Sequence, residues 1–224
     1  MKRMWSAKAQ RDVLSTLLVS SCVSLVLLII RILASESWRL WFLSWNLFLA
    51  WIPLLLAVWL KFLTDRRKIP TWKEVAVGLL WLLFLPNSFY LMTDLIHLQS
   101  SGEVSLLYDT ALIISFVING LLLGYISLYI VHTLIKKYVS EYTAYWLAQL
   151  ALLLSGFAIY LGRYLRWNTW DVVINPMGLI FDVSDRIINP GSYTLTFVVT
   201  GVFYVLLGST YAVIYHLIEI IRSN

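Results

Sequence analysis

Apolar residues run through this chain in six long blocks separated by short polar stretches. The blocks are Val13–Leu33, Leu40–Leu63, Val75–Met92, Leu106–Leu134, Tyr142–Leu161 and Leu195–Ile221. A helix rises about 1.5 Å per residue, so ~20 mostly apolar residues cross a bilayer core. The pattern predicts an all-α polytopic membrane protein, a bundle of six transmembrane helices. The third block is the shortest and carries Pro86 and Asn87 near its end. The fourth is long enough to tilt or to project past the lipid. A shorter pattern lies between the last two blocks. Asn175-Pro176 is a cap followed by the favoured first-position proline, and Ile180, Val183 and Ile187 share one face. Asp182 and Arg186 stand four residues apart, where they can pair, and Asn189-Pro190-Gly191 ends the run. This segment predicts a short interfacial helix on the outer face. Nothing marks a domain boundary, so residues 1–224 are expected to form a single integral membrane domain.

Composition agrees with this pattern. The hydrophobic set makes up 60% of the chain and charged residues only 13%, against about 45–50% and about 25% in an ordinary soluble domain. The mean hydropathy is +0.80. A lone cysteine, Cys22, excludes an internal disulfide and a cysteine-built zinc site. The pI near 9.3 would suggest nucleic acid, but the bases segregate by loop. With the N-terminus placed in the cytoplasm, the inner side carries a net charge of +7 and the outer side −2, and every lysine falls inside. That asymmetry is the positive-inside pattern. It predicts cytoplasmic N- and C-termini and leaves no role for nucleic acid. The first block exceeds a usual signal-peptide core and has no clean cleavage site after it, so it is expected to stay as a helix. Trp38, Trp41, Tyr160, Tyr164, Trp167 and Trp170 are expected at the outer interface, with Trp5, Trp59 and Trp72 at the inner one. Trp45–Leu49 echoes Trp81–Leu85, but five common membrane residues are weak grounds for an inverted repeat.

The unusual polar residues gather at the predicted outer ends. Asn87, Tyr90, Asp94 and His97 are spaced by three, four and three, so they form one stripe on a helix. The third span is therefore expected to continue outward as an amphipathic helix with this stripe facing the bundle. Asp109 opens the fourth span, where a helix N-terminus favours negative charge. Asn119, deeper in that span, is expected to tie helices together. Arg163 and Arg166 are three apart and share a face; two guanidiniums so placed can clamp a phosphate, sulfate or carboxylate. Pairing of these arginines with Asp94 and Asp109 is the purely structural alternative.

The runs Phe84-Leu85-Pro86-Asn87-Ser88-Phe89-Tyr90, Thr93-Asp94-Leu95-Ile96-His97, Tyr108-Asp109 and Gly162-Arg163-Tyr164-Leu165-Arg166-Trp167-Asn168-Thr169-Trp170-Asp171 resemble domain-of-unknown-function family 1361. The resemblance extends from about the second helix to the last. It implies a small multi-pass protein of a bacterial inner or plasma membrane, and it implies no activity.

Three functions fit these residues. One is a binding or transport-type protein holding an anionic small molecule or lipid headgroup in an outward-facing cavity, with Arg163, Arg166, Asn87 and Tyr90 as ligand-binding residues. Another is an outer-leaflet enzyme, a hydrolase or transferase acting on a phosphate-containing or lipid substrate. Asp94, His97 and Asp109 would then be its catalytic candidates, or its metal candidates. The third is a structural subunit of a membrane complex. No nucleophile motif, phosphate loop or HExxH is present. No cofactor and no oligomeric state is named by the sequence. The first reading is preferred, with membrane lipid as the expected partner.

Overall fold

The computed structural model describes residues 7–64, 71–99 and 104–223. Trp5 falls outside these, as do Lys2, Arg3, Asp65, Arg66, Arg67, Lys68 and Glu103, which enter the charge sums above, and the side chain of Arg222. Among the described residues all regular structure is helical: α1 (Ala7–Ser35), α2 (Phe42–Thr64), α3 (Trp72–Tyr90), α4 (Leu106–Ile135), α5 (Glu141–Tyr164), α6 (Asp171–Ile174), α7 (Pro176–Ile188) and α8 (Thr194–Ser223). Six of them, α1 to α5 and α8, are long and apolar enough to cross a membrane. The protein is read as a multi-pass membrane protein on that basis. An even number of crossings puts the start of α1 and the end of α8 on the same side.

Polar residues end the helices where the chain must turn. Thr71 and Glu74 form a reciprocal capping box at the start of α3. Ser140 accepts a bond from the Thr143 amide at the start of α5. The Asn175 side chain accepts from the Gly178 amide at 3.1 Å, so the cap and first-position proline of α7 form as expected. The extension of α3 differs from expectation. Leu91–His97 is a 3-10 helix, not a continued α-helix. The tighter winding rotates its side chains away from a 3.6-residue stripe. Asp94 nonetheless turns fully inward, as the stripe predicted, and Phe89, just before Tyr90, is buried too, against Tyr125.

Helices α2, α3 and α4 pack as the core, with α1 laid on α4 and α8 laid on α5. Without water to expel between lipid-facing helices, close packing and hydrogen bonds hold such bundles. Both are visible here. A Cβ on Gly120 of α4 would fall 2.4 Å from the Ser88 carbonyl oxygen of α3, and one on Gly124 would fall 2.6 Å from the Phe89 ring. Only hydrogen at these positions lets the two backbones approach so closely. Ser88 then donates to the Ala50 carbonyl of α2 at 2.9 Å, and the Trp81 indole donates to Ser127 of α4 at 2.7 Å. Asn119 performs the expected tie: its amide donates to Ser24 of α1 at 3.0 Å and to its own Ser115 carbonyl at 2.9 Å. Asn87 donates to the Phe84 carbonyl at 3.0 Å beside the proline turn.

The described lysines, Lys8, Lys61, Lys73, Lys136 and Lys137, all fall at the end where α1, α3 and α5 begin. Arg39, Arg163, Arg166 and Arg186 fall at the other. These are called the lysine end and the arginine end below.

Candidate functional site

At the arginine end the sequence candidates separate into three groups. The first is centred on Asp94. Its Oδ2 accepts from the Asn46 amide of α2 at 2.9 Å, and its Oδ1 lies 3.7 Å from Arg163 Nη1. Arg163 also donates to the Thr93 carbonyl at 2.7 Å and to the Tyr90 hydroxyl at 3.5 Å, and its Nη2 lies 3.3 Å from His97 Nε2. An arginine can only donate, so His97 Nε2 is the acceptor and its lone pair is committed. The guanidinium lies over the Tyr90 ring, 5.6 Å from its centre. Two atoms in this group remain buried without a hydrogen-bond partner, Asp94 Oδ1 and Arg163 Nε.

Asp109 does not join this group. Its carboxylate accepts from Arg31 Nε at 3.2 Å and Nη2 at 3.5 Å, and Arg31 also donates to Ser35 and to the Ser37 carbonyl. Both side chains of this pair are almost fully buried, at 0% and 3% exposure. Sequence patterning alone gives Arg31, near the end of the first apolar block, no such role. The available signal was a single charged residue inside the first apolar block, four residues before a serine. With Asp109 held by Arg31, no cluster of three or more His, Cys, Asp or Glu side chains suited to a metal exists among the described residues. Asp94 and His97 therefore lie apart from Asp109, the third of the metal and acid–base candidates.

Arg166 takes a third path. Its φ of 60° places it in the left-handed region, where α5 stops and the Trp167 amide reaches back to the Leu161 carbonyl at 3.2 Å. Its side chain is exposed and has no ion-pair partner among the described residues. This turn breaks the shared helical face that i, i+3 spacing implied. Arg163 and Arg166 nevertheless line one cavity of about 640 Å³, between the 3-10 extension, α5 and α8. Tyr90 and Thr93 complete its polar side, and Met92, Ile159, Val198, Val202 and Phe203 form its apolar wall.

Tyr90 and Gly162 also line a second cavity, of about 230 Å³, on the other side. This one holds Asn87, whose amide donates to Thr169 at 2.9 Å. The segment from Trp167 to Trp170, with Val172 and Leu179, lines its other side. That segment is tied down by local bonds. The Asn168 amide donates to Asp171 at 2.7 Å, and the Trp167 indole donates to Asp182 at 2.7 Å. Asp182 also pairs with Arg186 at 3.3 Å, as their spacing predicted. Arg186 is buried beneath α7, over the Tyr193 ring, and a hydrogen bond with Tyr160 helps to raise its pKa against the effect of burial. Tyr160 is accordingly a buried partner of Arg186 rather than an interface residue. Tyr193 and Asn189 donate to Asp185 and hold its carboxyl below the usual aspartate value.

A further polar cluster near the lysine end was not singled out from the sequence. His132 of α4 is buried, and its Nδ1 lies 2.6 Å from the Tyr211 hydroxyl of α8. Its ring stacks on Tyr215 at 4.9 Å. Tyr215 and Lys136 both bond Glu141. Burial acts to lower the Lys136 pKa, but the bonds to Glu141 and Tyr215 outweigh it and raise the value. The legible signal was spacing: Tyr211 and Tyr215 are i, i+4, as are His132 and Lys136.

The family model for a protein of unknown function, DUF1361, matches residues 45–207. That stretch contains both cavities and Asp109, and it leaves out Arg31. No curated protein and no solved structure matches the chain. The match covers well over half of the chain, so this protein, with its six apolar helices and paired cavities, belongs to the DUF1361 family.

Proposed function

We propose that this protein is a bacterial plasma-membrane protein with its lysine end in the cytoplasm, and that it binds a phosphate-bearing lipid at the opposite, outer face. The orientation follows from the lysine asymmetry. The apolar residues that α7 turns outward, Met177, Phe181, Ile187 and Ile188, suit an interfacial helix at that leaflet.

The observation that carries the binding reading is the larger cavity. Arg163 and Arg166 both line its polar side, and Arg166 has no ion-pair partner among the described residues. Its other side is a wall of valine, isoleucine, methionine and phenylalanine. An anionic headgroup would neutralise the arginines while its acyl chain lay along α8. The acid–base alternative is less well supported, because His97 already accepts from Arg163 and Asp109 is held by Arg31.

The test uses protein in detergent without a sugar headgroup. Phosphatidylglycerol should raise the melting temperature more than phosphatidylcholine does. Inorganic phosphate alone should give a smaller rise, which separates the lipid from the free ion. Arg166→Asn removes the charge while keeping a residue that tolerates a left-handed turn, and it should remove most of the phosphatidylglycerol effect. Equal stabilisation of wild type and variant would overturn the reading.

A further inference from the structure

The smaller cavity has a different chemistry from its neighbour. Its walls contain no lysine, arginine, aspartate or glutamate. They offer three indoles, Trp45, Trp167 and Trp170, together with the side chains of Asn46, Asn87 and Thr169. The faces of aromatic rings are electron-rich. They attract weakly positive C–H groups, such as those on the apolar face of a pyranose.

The amides of Asn46 and Asn87 leave acceptor oxygens over for hydroxyl groups. Asn46 spends its NH2 on Asp94, and Asn87 spends its NH2 on Thr169 and the Phe84 carbonyl. The carbonyl oxygen of each amide has no donor among the described residues, so a donor-rich ligand would satisfy both. Size agrees as well. An apolar cavity of ~150 Å³ accepts a benzene ring, so 230 Å³ has room for a six-membered ring with its substituents. A quaternary ammonium also favours aromatic walls, but no carboxylate lines this cavity to balance its charge.

We propose that the indole-lined cavity binds the neutral sugar ring of the same amphiphile, so that the ligand is a glycosylated lipid phosphate. The proposal rests on the arginine cavity being the anion site. Tyr90 and Gly162 stand in the wall common to both cavities, with the Tyr90 hydroxyl accepting from Arg163 on one side. A phosphate and a sugar ring joined by one ester linkage would place their junction at Tyr90.

The experiment reads saturation transfer by NMR from the protein, in phosphatidylcholine nanodiscs, to methyl β-glucopyranoside. Tetramethylammonium is measured in parallel. Two variants alter the cavity without touching an arginine: Trp45→Leu removes one indole, and Ala158→Leu fills the space from α5. The wild type should transfer saturation to the glucoside ring protons, and both variants should lose most of that signal. Both should keep their stabilisation by phosphatidylglycerol, which shows that the fold and the arginine cavity persist. No glucoside signal in the wild type, an undiminished signal in Ala158→Leu, or transfer to tetramethylammonium alone would overturn the sugar site. A glucoside signal in a wild type that phosphatidylglycerol fails to stabilise would instead overturn the arginine cavity as the anion site, and with it the glycosylated lipid phosphate.

Discussion

Removing one partner of the Arg31–Asp109 pair should destabilise the bundle far more than removing both. The two groups meet at 3.2 and 3.5 Å, and neither is accessible to water. At an effective dielectric constant of about 20, unit charges at this separation attract by about 5 kcal/mol. Desolvation offsets most of that gain in the intact pair, so its net worth is small. Asp109→Leu abolishes the attraction but leaves Arg31 charged and buried, because a guanidinium cannot release its proton. Bonds to Ser35 and the Ser37 carbonyl remain and soften the loss. Asp109 also sits in the first turn of α4, where its charge complements the helix dipole. The expected cost is about 3–5 kcal/mol, the range for breaking a buried pair. Arg31→Met should cost less, since a carboxylic acid can neutralise itself by taking up a proton. The double variant Arg31→Met/Asp109→Leu should lie within about 1 kcal/mol of wild type. Reversible unfolding in mixed micelles, followed by tryptophan fluorescence, gives the four free energies of the cycle. Single losses below about 1 kcal/mol that add in the double variant would show that the pair is wet or uncoupled, and would refute the reasoning.

Gly120→Val should lower stability by about 1–3 kcal/mol or more, because its Cβ meets the Ser88 backbone oxygen, which cannot step aside. Gly201→Ala in α8 meets nothing within 4 Å and should be neutral or slightly stabilising in the same unfolding assay. His132→Phe should cost about 1–3 kcal/mol by leaving the buried Tyr211 hydroxyl unpaired. Asp185 has a lowered pKa in the folded state, so the stability it lends α7 is present above the ordinary aspartate value of 3.8 and disappears as pH falls through the lowered one. Amide exchange in α7 should therefore accelerate only in acid, and Tyr193→Phe should move that onset to higher pH; an unchanged onset would count against the Tyr193 bond. A reporter active only outside the cytoplasm, fused after Asn224, should stay silent, and activity there would reverse the proposed orientation.

Local composition was enough to reveal the membrane helices, because crossing a bilayer demands an unbroken apolar run wherever the helix later packs. Val13–Leu33 became the body of α1, Tyr142–Leu161 that of α5, and the cap, proline and apolar spacing after Asn175 were enough for α7. Asn119 was also legible as a tie between helices, since a lone amide deep in a span must find a partner. What the sequence could not decide was which charge meets which. Asp94, Asp109, Arg163 and Arg166 all reach the arginine end, yet Asp109 pairs with Arg31, which lies 78 residues away in α1. The left-handed turn at Arg166 broke the face it was expected to share with Arg163. The division of Asn87 and the arginines between two cavities depends on where α5, α8 and the Trp167–Val172 segment settle around Tyr90. Helix formation is a local property of consecutive residues, whereas pairing and cavity shape depend on how separate helices rotate and approach, and only the tertiary structure contains that information.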